Sequence, residues 1–298
     1  MMATTRRATV LIGLLLLFVI THAKAVAGSP CADPKAAAPG MDPAAYGGFF
    51  LGANGCMYDP AQTDVINVPP VYPKGAYSRR ERLFYVNGGN PKVQREFLMA
   101  RQLSQVSGMP VIGVFNTFPS EKGTLSYDSS YNAVVSTLTS LIVSSVEQGE
   151  GLHLRGGSAG AAVISAALVR SKSILQRRTR RPGEADGMMR RVKVETAGSV
   201  VRYFPNGPRY IHYANLKDRW PEKSGVLSPF AQPGRASVIA LFDDEIPPIE
   251  AGFEKTTPDA IRSLSRHGFS VYNQNRLPFE EVYDHSRPVL PKNVRVDR

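Results

Sequence analysis

The chain has 298 residues, 43% of them hydrophobic and 20% charged, and carries a formal net charge of +11. That balance excludes a disordered or fibrous chain and fits one large globular domain. Five histidines and two cysteines show neither H-E-x-x-H nor paired C-x-x-C spacing, so no metal centre is expected.

Residues 1–25 read as a secretory signal. Arg6 and Arg7 precede an apolar run from Val10 to Ile20, and Ala23-Lys24-Ala25 supplies a small-residue cleavage site. The run is short for a bilayer span, which disfavours the alternative of an uncleaved anchor. Export, to a periplasm or the outside, is therefore expected. Arg6, Arg7 and Lys24 leave with the signal and take no acid with them, so the remaining chain carries +8. That excess favours anionic surfaces as partners. No aromatic residues interleave with the basic clusters Arg177-Arg178-Thr179-Arg180-Arg181 and Arg190-Arg191-Val192-Lys193, so specific nucleic-acid binding is not expected.

Residues 26–81 are rich in Gly, Pro and Ala and read as an irregular extension. Cys31 and Cys56 both lie in it. An oxidising compartment would permit a disulfide between them, with two buried thiols as the alternative. The main domain, 82–298, opens with Leu83-Phe84-Tyr85-Val86, a buried strand ended by Asn87-Gly88-Gly89-Asn90. Asn90 can cap a helix with Pro91 at its first position, running to about Ser107 and stopped by Gly108. Pro110 to Phe115 is a second strand, and a helix from about Ser129 to Val146 follows. Leu152-His153-Leu154 is a third strand and Ala161 to Val169 a third helix. The basic stretch from Arg170 to Arg191 reads as an inserted loop. Val192–Thr196, Tyr210–Ala214 and Ser237–Phe242 are three more strands. Strands that alternate with helices, and are apolar on both faces, predict an α/β fold with a mostly parallel, doubly covered sheet.

The turn Gly156-Gly157-Ser158-Ala159-Gly160 carries the chemistry. G-x-S-x-G alone is a weak pattern, but this one sits between an apolar strand and an apolar helix, as a nucleophile elbow requires. The glycines let the chain turn sharply, and the helix N-terminus sets a partial positive charge beside any developing oxyanion. Two other readings exist. A phosphate-binding turn would need a Walker-type Lys-Ser/Thr or a G-x-G-x-x-G pattern, and neither is present, so no cofactor is expected. Small residues could also serve close packing alone.

With the strand-loop Tyr85-Val86-Asn87-Gly88, the strand end Val114-Phe115-Asn116 and the elbow Gly156–Gly160, the chain resembles α/β-hydrolases of the lipase and esterase type, particularly poorly characterised bacterial ones. The resemblance spans about Arg82 to Tyr283. It implies an α/β-hydrolase sheet and the chain order nucleophile, acid, histidine. Asp218, after the strand Tyr210–Ala214, then matches the acid, with Asp243 and Asp244 as substitutes. His267 matches the base, with His285 second. His153 and His212 read as core residues, and His22 lies in the signal. The oxyanion donors implied are the Ala159 and Gly88 amides, supported by the Asn87 side chain. Gly157 departs from many lipases, which carry His there.

Two functions follow as expectations. One is an exported serine hydrolase, an esterase or lipase, acting through an acyl-enzyme on Ser158 with a small-molecule or lipid ester as substrate. The other is a non-enzymatic secreted binding or virulence factor that keeps the scaffold and docks an anionic surface through its basic stretch.

Overall fold

Short apolar runs bounded by Gly, Pro and Asn are too brief for stable helices and become strands buried on both faces. The computed structural model describes residues 43–53, 55–75, 81–89, 92–117, 133–245 and 266–284, and the backbone of 294–297. In chain order the strands are β1 (Phe50–Leu51), β2 (Met57–Tyr58), β3 (Leu83–Val86), β4 (Val111–Val114), β5 (Leu152–Gly157), β6 (Val192–Ala197), β7 (Arg209–Asn215), β8 (Ser237–Phe242) and β9 (Val294–Asp297). The helices between them are α1 (Val93–Ser107), α2 (Ala133–Glu147), α3 (Ala159–Arg178), α4 (Glu184–Met189), α5 (Arg219–Lys223), α6 (Phe269–Gln274) and α7 (Phe279–Tyr283).

All nine strands form one sheet, ordered β2-β1-β4-β3-β5-β6-β7-β8-β9. The six strands from β4 to β8 run parallel, while β1 and β9 pair antiparallel with β4 and β8. Alternate side chains of each central strand feed two cores. Phe84, Val86, Leu152, Leu154, Val192 and Val194 pack with α2 and α3. On the other face Leu83, Tyr85 and Val111 meet α1, and Ile211, Tyr213, Val238 and Ala240 meet α6 and α7. The expected α/β architecture with a mostly parallel, doubly covered sheet is what the chain adopts.

Two expectations change. The extension is not irregular throughout, because β1 and β2 extend the main sheet beyond β4. Their short apolar pairs, Phe50-Leu51 and Met57-Tyr58, carry too little periodicity to register as strands. The basic stretch is not a loop. The helix α3 continues to Arg178 and α4 follows, with Arg178 pairing with Glu147 and Lys172 with Asp186. Ala, Leu, Lys, Gln and Arg are all strong helix formers, so α3 propagates through its charged end. The helix α2 is seen from Ala133, and the expected start near Ser129 lies outside the described residues.

Gly108 ends α1 in the left-handed conformation, as expected, at φ 65°. The Asn90 and Pro91 start signals lie outside the described residues, as does the proposed signal. Cys56 is disulfide-bonded; Cys31, the chain's one other cysteine, is also outside the described residues. Among the described residues no helix is long and apolar enough to cross a membrane.

Candidate active site

The central parallel strands all end on the same side of the sheet, and their following loops converge there. β5 ends at Gly157, and α3 begins two residues later, so Ser158 must turn the chain by itself. It does so at φ 49°, ψ −119°, a conformation costing a non-glycine residue about 1–3 kcal/mol. The surrounding structure holds it there. The Ser158 amide donates to Ala197 O at the end of β6 (2.9 Å), and its carbonyl accepts from Ala161 N (3.1 Å). The flanking glycines permit the turn sterically. A Cβ on Gly160 would lie 2.3 Å from Val86 O and 2.7 Å from Asn87 O, and one on Gly156 would lie 2.8 Å from Gly160 C.

Gly157, which departs from many lipases, has a local reason. A Cβ there would already come within 3.2 Å of the Phe269 ring. Phe269 fills the space a larger side chain would need, its ring tilted against Tyr85 with centroids 4.8 Å apart.

Asp218 follows β7 and caps α5, with Oδ1 accepting from Trp220 N at 3.0 Å. Its side chain is almost fully buried. His267 lies just before α6, partly open to solvent. The structure brings the two together with Ser158: His267 Nδ1 meets Asp218 Oδ2 at 2.5 Å, and His267 Nε2 meets Ser158 Oγ at 3.0 Å. A carboxylate only accepts, so the imidazole proton sits on Nδ1 and Nε2 is left to accept from the serine hydroxyl. His267 follows β8 and precedes β9.

Asn215 assembles these loops. Fully buried at the end of β7, it donates from Nδ2 to Asp244 O (2.7 Å) and Arg266 O (2.9 Å), and its Oδ1 accepts from Lys217 N and Asp244 N. One side chain thus ties the acid's loop, the loop after β8 and the residue before His267. The substitutes face elsewhere: Asp243 pairs with Lys217, and the Asp244 carboxylate accepts from Asn275.

Gly88 lies against Ser158, since a Cβ on it would be 3.6 Å from Ser158 Cβ. Ala159, as the first residue of α3, has no intrahelical partner for its N–H. Gly88 and the Ala159 amide thus both lie beside Ser158. Asn87 is a correction. Its Nδ2 donates to Gly88 O (2.9 Å) and Asn116 O (2.8 Å), and its Oδ1 accepts from Asn116 N (2.7 Å). Both amide hydrogens are committed, so this side chain shapes the Gly88 loop and has none left for an oxyanion. Asn116 completes the clasp through Nδ2 to Asn87 O (3.1 Å).

Behind the site lies a buried ionic cluster. Glu195, on β6, accepts from Arg155 Nη1 (2.5 Å), Arg276 Nε (2.8 Å) and Nη2 (2.7 Å), and meets His153 Nε2 (2.8 Å). Burial would raise this carboxyl, but the Arg276 and Arg155 charges and the His153 bond hold it well below the usual range. Arg155 also donates to Asn273 Oδ1 at 3.0 Å, which ties β5 to α6. His153 is thus a buried member of this cluster. His212 is also buried, between Thr196 Oγ1 (2.8 Å) and Pro233 O (2.9 Å), and burial pushes it down to about 4. His285 lies outside the described residues.

Sequence reasoning missed the clasp, the Asn215 tie, the Glu195 cluster and Tyr272, whose hydroxyl reaches Asp218 Oδ2 at 2.7 Å. A signal existed for the cluster, since Glu195 is a charged residue inside a strand read as buried and Arg155 directly follows another, Leu152-His153-Leu154. Among the described residues no group of His, Cys, Asp and Glu is arranged to hold a metal.

Ser158 thus stands in a strand–turn–helix at positive φ, and serine, aspartate and histidine follow one another in that chain order. No family model and no curated protein matches the chain. Among solved structures it is similar to a Pyrobaculum calidifontis esterase, at 12% identity and a TM-score of 0.38, over 57% of this chain and 68% of that one. It is similar to a hormone-sensitive lipase from a metagenome library, at 11% identity and 0.39, over 67% and 80%. An arylesterase gives 11% identity and 0.40, over 69% and 75%.

Proposed function

We propose that this protein is an exported serine hydrolase of esterase or lipase type that works through an acyl-enzyme on Ser158. The observation that carries the reading is the continuous relay from Ser158 Oγ through His267 to Asp218, at 3.0 and 2.5 Å. Such a relay performs acyl transfer directly. Ser158 Oγ attacks the ester carbonyl carbon while its proton passes to His267 Nε2, and the imidazolium is stabilised by Asp218. The negative charge that builds on the carbonyl oxygen is received by the Ala159 and Gly88 amides. When the tetrahedral species collapses, the bond to the alkoxy oxygen breaks and His267 returns its proton to the departing alcohol. Water, deprotonated by His267, then attacks the acyl carbon. The second collapse breaks the Ser158 ester, frees the carboxylic acid and restores the hydroxyl proton.

Export is part of the proposal. It is supported by the basic start, the apolar run and the small-residue site before residue 26, and by the disulfide at Cys56, which an oxidising compartment favours. An ester substrate is the chemical class that a serine–histidine–acid relay with two amide donors serves.

A fluorophosphonate probe tests the reading. Wild type is expected to label covalently and to hydrolyse a p-nitrophenyl ester, and Ser158→Ala to do neither. Equal labelling of both proteins, or of neither, overturns it.

A further inference from the structure

We propose that Tyr272 is a positioning residue of this reaction: its hydroxyl fixes Asp218 and takes a share of that carboxylate's charge, and so sets the pH at which His267 begins to work. The inference rests on the reading of Ser158, His267 and Asp218 as the reacting relay.

The geometry leaves the hydroxyl one role. Tyr272 Oη is 2.7 Å from Asp218 Oδ2, the same oxygen that accepts from His267 Nδ1. Oδ1 is occupied by Trp220 N. Asn215 N, which can only donate, points at Tyr272 Oη from 3.3 Å. The hydroxyl proton is thereby directed at Asp218. Burial, and then the Asp218 charge, hold the phenol well above its ordinary range, so it stays a donor at any working pH. The chain also makes room for the pair: Gly198 sits at φ 58°, and a Cβ on it would lie 3.0 Å from Tyr272 Oη and 3.1 Å from Asp218 Oδ2.

Tyr272 is itself anchored. Its carbonyl lies 3.5 Å from Arg155 Nη2, which also holds Asn273. The strand that ends in the nucleophile therefore grips the helix that carries the tyrosine. The other charged groups around the relay are engaged away from it. Lys217 pairs with Asp243, and Arg266 with Glu245. Arg155 and Arg276 face Glu195, Asp244 receives Asn275, and the exposed Arg219 lies over the Trp220 ring. Asp218 is the one charged group in contact with the Tyr272 hydroxyl among the described residues.

Two donors divide the charge on Asp218 Oδ2. Without the hydroxyl, the carboxylate would hold the Nδ1 proton more tightly and stabilise the imidazolium further. His267 would then stay protonated, and unable to accept from Ser158, to a higher pH.

The test compares wild type with Tyr272→Phe by two measurements: the rate of fluorophosphonate labelling against pH, and an NMR titration of the His267 ring protons, assigned with His267→Gln. Tyr272→Phe is expected to move both midpoints upward by about half to one pH unit, with the plateau labelling rate lowered about 3- to 10-fold. A residue that only fills space would lower the rate at every pH and leave both midpoints in place, and that result overturns the proposal, as does a downward move. Site-specific 3-fluorotyrosine at position 272 keeps the shape and donates more strongly, so it should move the midpoints down. It decides the matter alone if the phenylalanine variant does not fold. A wild type that fails to label overturns the hydrolase reading instead, while the NMR titration still decides the part played by Tyr272.

Discussion

Glu195→Gln is the sharpest perturbation of the buried cluster. The wild-type carboxylate receives three guanidinium hydrogen bonds and the His153 contact within 2.8 Å, and it has no solvent exposure. Glutamine has nearly the same shape but no charge, and its amide NH2 must face donors. Two guanidinium groups, with side-chain exposures of 0% and 2%, then lose their shared anion. Removing one partner of a buried ion pair costs about 3–5 kcal/mol, out of a total stability of about 5–15 kcal/mol for a folded domain. At about 2–4 °C per kcal/mol, the melting temperature should fall by about 6–20 °C. The sign of the pH dependence is also fixed. Glu195 is held well below its ordinary range, so its contribution is complete above the unfolded value of about 4.3 and is lost only as pH falls further. Urea unfolding from pH 8 to 5 should therefore show a constant deficit for the variant, narrowing under more acid conditions. A deficit under about 1 kcal/mol at pH 7 would refute the view of the cluster as a mutually dependent buried charge set. The triple change Arg155→Met, Glu195→Leu, Arg276→Met removes all three charges together and should restore most of the stability.

Gly160→Ala should abolish fluorophosphonate labelling and destabilise the fold by about 1–3 kcal/mol, because its Cβ would fall 2.3 Å from Val86 O; normal labelling would show that the elbow can yield. His212 makes a separate pH prediction. Burial keeps it neutral down to about 4, so as pH falls the unfolded chain takes up the proton first. Stability should be full above about 6.5 and decline by about 3 kcal/mol towards pH 4. His212→Gln should flatten that acid slope in urea titrations, and an unchanged slope would show that other groups set it.

The sequence is legible where physics is local. Short apolar runs announced β3 and β4, and Gly108 announced the end of α1, because burial on both faces and a left-handed cap each leave a residue-level trace. The elbow was legible for the same reason, since strand, turn and helix are contiguous. Asp218 and His267 were reached through the chain order that the family resemblance implies. What stayed hidden is held by contacts distant along the chain. Asn87 and Asn116 are 29 residues apart, and Arg155 and Asn273 are 118 apart. A buried Asn in a turn looks the same in sequence whether it faces a substrate or clasps a neighbouring loop. Tyr272 is likewise indistinguishable from an apolar core aromatic until the fold brings Asp218 to its hydroxyl.

The two short strands ahead of residue 82 have a consequence for the solubility of the whole chain. β4 is buried along its full length, and β1 covers its outer hydrogen-bonding row, with Phe115 N bonded to Phe49 O and Gly48 N to Phe115 O just beyond it. A chain beginning at Arg82 would leave that row bare: an apolar edge, Val111–Val114, with no charged residue in it, open to pairing with another copy. The extension thus covers the sheet edge, and a fragment that keeps this edge paired has to begin ahead of Gly48.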